Sequence, residues 1–109
     1  MAETFKSINA DLGTSADTVI YTCPSSTTAI VILCQVANVD GTNSADLYMD
    51  YYDSSATQAK ALAHTVAVPG DTALNPIGGK LVLEASDQLR AWASAASDLE
   101  ITVSVLEIT

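Results

Sequence analysis

From Thr18 onward, apolar and polar residues alternate in short runs, each closed by a cluster of Pro, Gly, Asp, Asn or Ser. The runs cover residues 18–23, 29–39, 45–52, 61–68, 80–84, 88–94 and 99–108. Period-two alternation broken by turn signals at short intervals is the mark of half-buried strands, and many such strands in succession make a sandwich or barrel. The pattern predicts an all-β chain, an antiparallel β-sandwich of the jelly-roll or immunoglobulin-like kind, with about eight strands.

Run 29–39 differs from the others because it is apolar on both faces. Ile30, Ile32, Cys34 and Val36 fall on one face, and Val31, Leu33, Ala37 and Val39 on the other. Left on an open edge such a run would invite aggregation. It is therefore expected at the centre of a sheet, or with its outer face against another subunit. Run 45–52 sets Leu47, Met49 and Tyr51 against Asp46, Tyr48, Asp50 and Tyr52, one core face and one wet face. Residues 1–12 carry Phe5, Ile8 and Leu12 without clean alternation, and read as an N-terminal arm or edge strand ahead of a sandwich domain spanning 13–109. An arm of that kind suits a segment that orders on docking. The expected interaction residues are Phe5, Ile8, Leu12, Val31, Leu33, Tyr48 and Tyr52.

Composition narrows the choice of partner. At 109 residues, with 49% hydrophobic but only 6% aromatic content, the chain is one domain whose core is built mostly from small side chains. Small side chains stabilise less per residue than large ones, so self-association is expected to add to the stability of the lone chain. Thirteen acids oppose four bases, for a net charge of −9. Nucleic-acid binding rests on Lys and Arg displacing counterions from phosphates, so no nucleic-acid partner is expected. An anionic membrane surface is disfavoured for the same reason. The first twelve residues include Glu3, Lys6 and Asp11 and lack the apolar stretch of a secretory signal. The expectation is a soluble protein made in a cytoplasm.

Candidate chemistry is sparse. Cys23 and Cys34 are the only cysteines, too few for a zinc site or a disulfide framework, and are expected as buried free thiols. His64 is the only histidine and alternates with Leu62 and Val66, which places it in a core or an interface rather than in a catalytic pair. Asp40, Asn43 and Asp46 surround a turn, where Gly41 is free to take positive φ, but match no complete calcium loop. Tyr48, Tyr51, Tyr52 and Trp92 could line a sugar-stacking platform, although packing within the protein accounts for them more simply. No phosphate loop, dinucleotide fingerprint or nucleophile elbow is present. No enzyme activity, cofactor or metal is expected.

Four short motifs carry a resemblance. They are Tyr-Thr-x-Pro at 21–24, x-Ala-Asn-x-Asp-Gly at 36–41, Leu-x-Leu-Glu-Ala-x-Asp-x-Leu at 81–89 and Leu-Glu-Ile at 106–108. In this order, and with the apolar strand between the first two, the chain resembles small virion structural proteins of tailed bacteriophages. Cys23, where an apolar residue is common, and the aromatic stretch 48–52 depart from that pattern. The resemblance implies a β-sandwich assembled on a virion. With the acidic surface it points to the outside of a head, as a decoration (cement) protein that is a homotrimer and contacts the major capsid protein. A neck, tail or baseplate component is the alternative within that class, and a carbohydrate-binding host-recognition module the alternative outside it.

Overall fold

The computed structural model describes residues 2–109. Nine strands lie among them: β1 Glu3–Asp11, β2 Val19–Thr22, β3 Thr28–Asn38, β4 Ala45–Asp53, β5 Gln58–Val68, β6 Ala73–Leu74, β7 Leu81–Leu83, β8 Gln88–Ala93 and β9 Leu99–Ile108. They form two antiparallel sheets. The first runs β1-β9-β3, with the short β6 and β7 sharing the far side of β3. The second runs β2-β8-β4-β5. The fold is an all-β antiparallel sandwich, and this strand order is that of a jelly roll.

Strand by strand, the chain mostly crosses between sheets instead of turning back on itself. Residues 24–27 carry it from β2 in the second sheet to β3 in the first, and 39–44 carry it back to β4. Neither segment is the hairpin that its turn residues suggest. Asp40 shapes the second crossing: its carboxylate accepts the backbone N–H groups of Thr42 (2.8 Å) and Asn43 (3.1 Å). Those bonds favour the ionised form and hold the Asp40 carboxyl below the usual range. Gly41 does not take a positive φ; the left-handed residue nearby is Asp71, at φ 59°. Gly70 matters for room: a Cβ there would sit 2.6 Å from the Asp40 carbonyl oxygen.

The core lies between the sheets. From the first sheet come Val31, Val36, Leu83, Leu99, Ile101, Val103 and Val105, and from the second Leu47, Met49, Val68 and Leu89, all fully buried. β9 supplies its share by strict alternation, as its sequence predicts. β3 does not. A bulge between Val31 and Leu33 places two residues against Ser104 and reverses the faces midway. Ala29 and Val31 point inward before it, and Cys34 and Val36 after it, while Ile32 and Leu33 are both exposed. Val31 is therefore 1% exposed and belongs to the core, contrary to its expected place on an interaction face. The strand itself is central, flanked by β9 on one side and by β6 and β7 on the other.

Residues 3–11 form no loose arm. β1 pairs with β9 in nine consecutive steps, from Glu3 with Ile108 to Asp11 with Glu100. Leu12 continues the ladder by donating to the Leu99 carbonyl (2.8 Å) and is itself 1% exposed. It is a core residue, so its expected role in partner contact gives way to packing. Ile8 is half-buried and packs on the same core from the inner side of β1.

Two buried carboxylates close the ends. Glu107 on β9 accepts a hydrogen bond from the Tyr21 hydroxyl and pairs with Lys6 of β1 at 2.9 Å, which links three strands across both sheets. These partners hold the Glu107 carboxyl low; burial, with the Glu107 charge second, pushes the Tyr21 phenol far up. Asp87, in the turn between β7 and β8, accepts the N–H groups of Glu84 (2.9 Å) and Ser54 (2.9 Å) and the hydroxyls of Tyr51 (3.0 Å) and Ser54 (3.1 Å). Burial alone would raise the Asp87 carboxyl, but the four donors outweigh it and the net shift is downward. Cys23 and Cys34 are free and buried, and burial raises the Cys34 thiol to about 11.

Candidate interaction surface

The outer face of the first sheet carries an apolar row that strand pairing assembles from four distant segments. β1 sets Phe5 against Leu106 of β9. Leu106 in turn faces Ile30 of β3, and Ile30 faces Val82 of β7. All four side chains point away from the core, because their neighbours Val31, Leu83 and Val105 point inward. Phe5 is 72% exposed and Val82 51% exposed, with Leu106 and Ile30 half-buried between them. The β3 bulge adds Ile32 and Leu33, 41% and 42% exposed, beside the row.

Further along the same face the character changes. Successive rows are Ser7 with Ser104 and Leu33, then Asn9 with Thr102 and Gln35, then Asp11 with Glu100 and Ala37. The sheet is thus apolar at one end of its outer face and acidic at the other. An apolar patch with a polar rim is where a contact surface is sought first on such a face.

The second sheet presents a different outer face. Tyr48 faces Trp92, Asp50 faces Arg90 and Tyr52 faces Gln88. The Tyr48 and Trp92 rings are stacked, 5.5 Å apart and 3° from parallel, and Tyr48 also meets His64 edge-to-face at 5.4 Å. The Arg90 guanidinium lies 4.1 Å from the Tyr52 ring centre. Tyr48 and Tyr52 each spend a ring face on a neighbour, so the aromatics form cross-strand pairs rather than a flat platform for a sugar ring. His64 is exposed on this face, not in the core; bulges where β5 pairs with β4 take it out of the simple alternation.

Of the residues that the sequence singled out, Phe5 and Leu33 stand on the apolar face, and Tyr48 and Tyr52 on the opposite side of the molecule. Ile8, Leu12 and Val31 face the interior. The sequence pattern does not single out Ile30, Leu106 and Val82, which complete the row. Each is an ordinary apolar position in its own run, and only the pairing of β1, β9, β3 and β7 makes them one row.

No protein-family profile matches the chain, and no curated protein sequence does either. Among solved structures, the fold is similar to that of the disulfide-linked pili of Bacillus endospore appendages, with a TM-score of 0.58 and 14% identity over 99% of this chain and 87% of that one. It also aligns with a pentameric capsid protein isolated from metagenomic phage sequences, at a TM-score of 0.47 and 18% identity over 91% of this chain and 58% of that one. At these identities the likeness concerns the fold.

Proposed function

We propose that this chain is a structural protein of a bacteriophage virion, most specifically a head decoration subunit that stabilises the capsid through subunit contacts. The observation that carries the reading is the exposed row Phe5–Leu106–Ile30–Val82 on the first sheet, with Ile32 and Leu33 beside it. In this reading the row lies on the capsid surface and the acidic end of the sheet stays in solvent. The sequence motifs shared with small virion structural proteins support the same class, and the net charge of −9 suits an exterior position away from packaged DNA. The chain acts by shape and burial, without catalysis or a cofactor.

Apolar burial is not screened as ion pairs are, so attachment should survive high salt. Fully burying a Phe or Val side chain is worth roughly 1.5–3 kcal/mol. Phe5 and Val82 still have most or half of their surface to lose, so together they should contribute about 2–4 kcal/mol on docking. Particles stripped of the protein and re-decorated with wild type or with the Phe5→Ser, Val82→Ser double variant test this. The double variant should bind at least about 30-fold more weakly. Equal occupancy by the two proteins would refute the role of the row, and binding to a glycan array in place of particles would favour the host-recognition alternative.

A further inference from the structure

We infer that the outer edge of β1 pairs with β1 of a second copy of this chain, antiparallel about a two-fold axis at Phe5. Four edges bound the two sheets, and three are blunted. β2 has four residues and a register shift. β6 and β7 have only two and three residues. β5 has register shifts along its pairing with β4, and Thr65 sits at φ 54°. Short, bulged or distorted edges resist strand addition. β1 is neither short, bulged nor interrupted by proline, since nine residues pair with β9 without a shift, and its one inward-pointing charge, Lys6, is matched by Glu107.

Its free hydrogen-bonding groups can be assigned. The Leu12 N–H donates to the Leu99 carbonyl, and the Thr109 N–H to the Ala2 carbonyl. In an antiparallel pair alternate residues bond to a given neighbour. The even-numbered residues of β1 therefore bond to β9, and Glu3, Phe5, Ser7, Asn9 and Asp11 turn their N–H and C=O groups to the open side. Lys6 points inward, and its charge is already matched by Glu107.

Charge and apolar continuity choose the register. With Lys6 on the axis, two ammonium groups oppose each other. With Ser7 there, Glu3 opposes Asp11 of the second copy; with Ile8 there, Phe5 opposes Asp11. With Phe5 on the axis, Glu3 meets Ser7 and Thr4 meets Lys6, and no like charges face each other; axes at Thr4 or Asn9 also avoid like charges but do not set the two Phe5 residues directly opposite each other. That register also joins the two apolar rows end to end, from Val82 of one copy through both Phe5 rings to Val82 of the other. The pairing uses the strand edge and leaves the outer face free, so it does not depend on the virion reading, and it puts a two-fold association in place of the homotrimer that the sequence resemblance implies. The interface is small, and each copy carries a charge of −9, so the dimer should be weak in dilute buffer and strengthen with added salt.

Cross-linking reads the register directly. Residues paired across such an axis have Cα atoms about 5.5 Å apart, within disulfide reach. The two copies of Ser7 would lie roughly 13 Å apart, beyond it. Full-length Phe5→Cys and Ser7→Cys are each treated with oxidised glutathione; Cys23 and Cys34 are buried and do not compete. Phe5→Cys should give a covalent dimer and Ser7→Cys none. Phe5→Asp, at an exposed position, should keep the wild-type melting profile yet sediment as a monomer where wild type dimerises. Cross-linking of Ser7→Cys, failure of both variants, a trimer, or a wild-type monomer at millimolar concentration in high salt would each overturn the inference.

Discussion

Replacing Asp87 should destabilise the fold more than any surface substitution, and the effect should depend on pH. Its carboxylate is fully buried and gathers four donors from two turns and one strand: Glu84 N, Ser54 N, Ser54 Oγ and Tyr51 Oη. A net hydrogen bond to a charged group is worth about 1.5–3 kcal/mol, and a buried donor left without a partner costs about 1–3 kcal/mol. Asp87→Ala strands two backbone N–H groups and the Tyr51 hydroxyl, so a loss of about 3–5 kcal/mol is expected, reduced where water can enter. Against a typical total of about 5–15 kcal/mol this is a large fraction. Asp87→Asn keeps one acceptor oxygen and should lose about half as much. Urea unfolding of wild type, both variants and Tyr51→Phe at pH 7 measures these values. The folded Asp87 carboxyl sits below its unfolded value of 3.8, so its contribution is present above that pH and is lost as pH falls through the lower folded value. The gap between wild type and Asp87→Asn should therefore narrow below about pH 4. A loss under about 1 kcal/mol for Asp87→Ala, or a gap that does not change with acid, would refute the argument.

Glu107 obeys the same sign: held low by Tyr21 and Lys6, it should add to acid sensitivity below its ordinary value of 4.5, and Glu107→Gln should melt earlier than wild type at pH 7 by a margin that shrinks as pH falls below 4.5. Tyr21, Tyr51 and Cys34 are shifted the other way, Tyr51 to about 12 and Cys34 to about 11, so stability should fall as pH rises past 9–10; alkaline CD melts follow this. Gly70→Ala should cost about 1–3 kcal/mol in urea unfolding, because its Cβ meets the Asp40 carbonyl oxygen at 2.6 Å and backbone has to move. Trp92→Ala should cost about 1–2 kcal/mol by removing the stack on Tyr48, and the loss should shrink in a Tyr48→Ala background.

Much of the fold was legible because β-sandwich strands alternate and their turns carry characteristic residues. β9, from Leu99 to Ile108, reads in the structure as it does in the sequence. What alternation does not encode is a bulge. The extra residue at Ile32 switches the inward face between the two halves of β3, so that Val31 before it and Cys34 after it both point into the core while Ile32 and Leu33 are both outside. Nor does a turn signal say where the next strand goes: Pro24 to Thr27 and Asp40 to Ser44 look like hairpins and are crossings between sheets. Of the exposed apolar row, local pattern singles out Phe5 and, beside it, Leu33. Its other members become neighbours through pairings between residues as far apart as Phe5 and Leu106, which local pattern does not hold. Leu12, which the sequence places in an arm or edge strand, is buried because β1 forms the edge strand beside β9.

On the proposed function, this chain sits on a virion head by the apolar face of its first sheet. Cryo-electron microscopy of intact particles, paired with mass spectrometry of their proteins, tests it most directly. The expected result is the chain among the particle proteins and lobes of about 47 × 26 × 20 Å on the outer head surface, with Phe5, Ile30, Leu106 and Val82 turned towards the capsid. Density for the chain on the neck, tail or baseplate, or on the head with that row facing solvent, would contradict it.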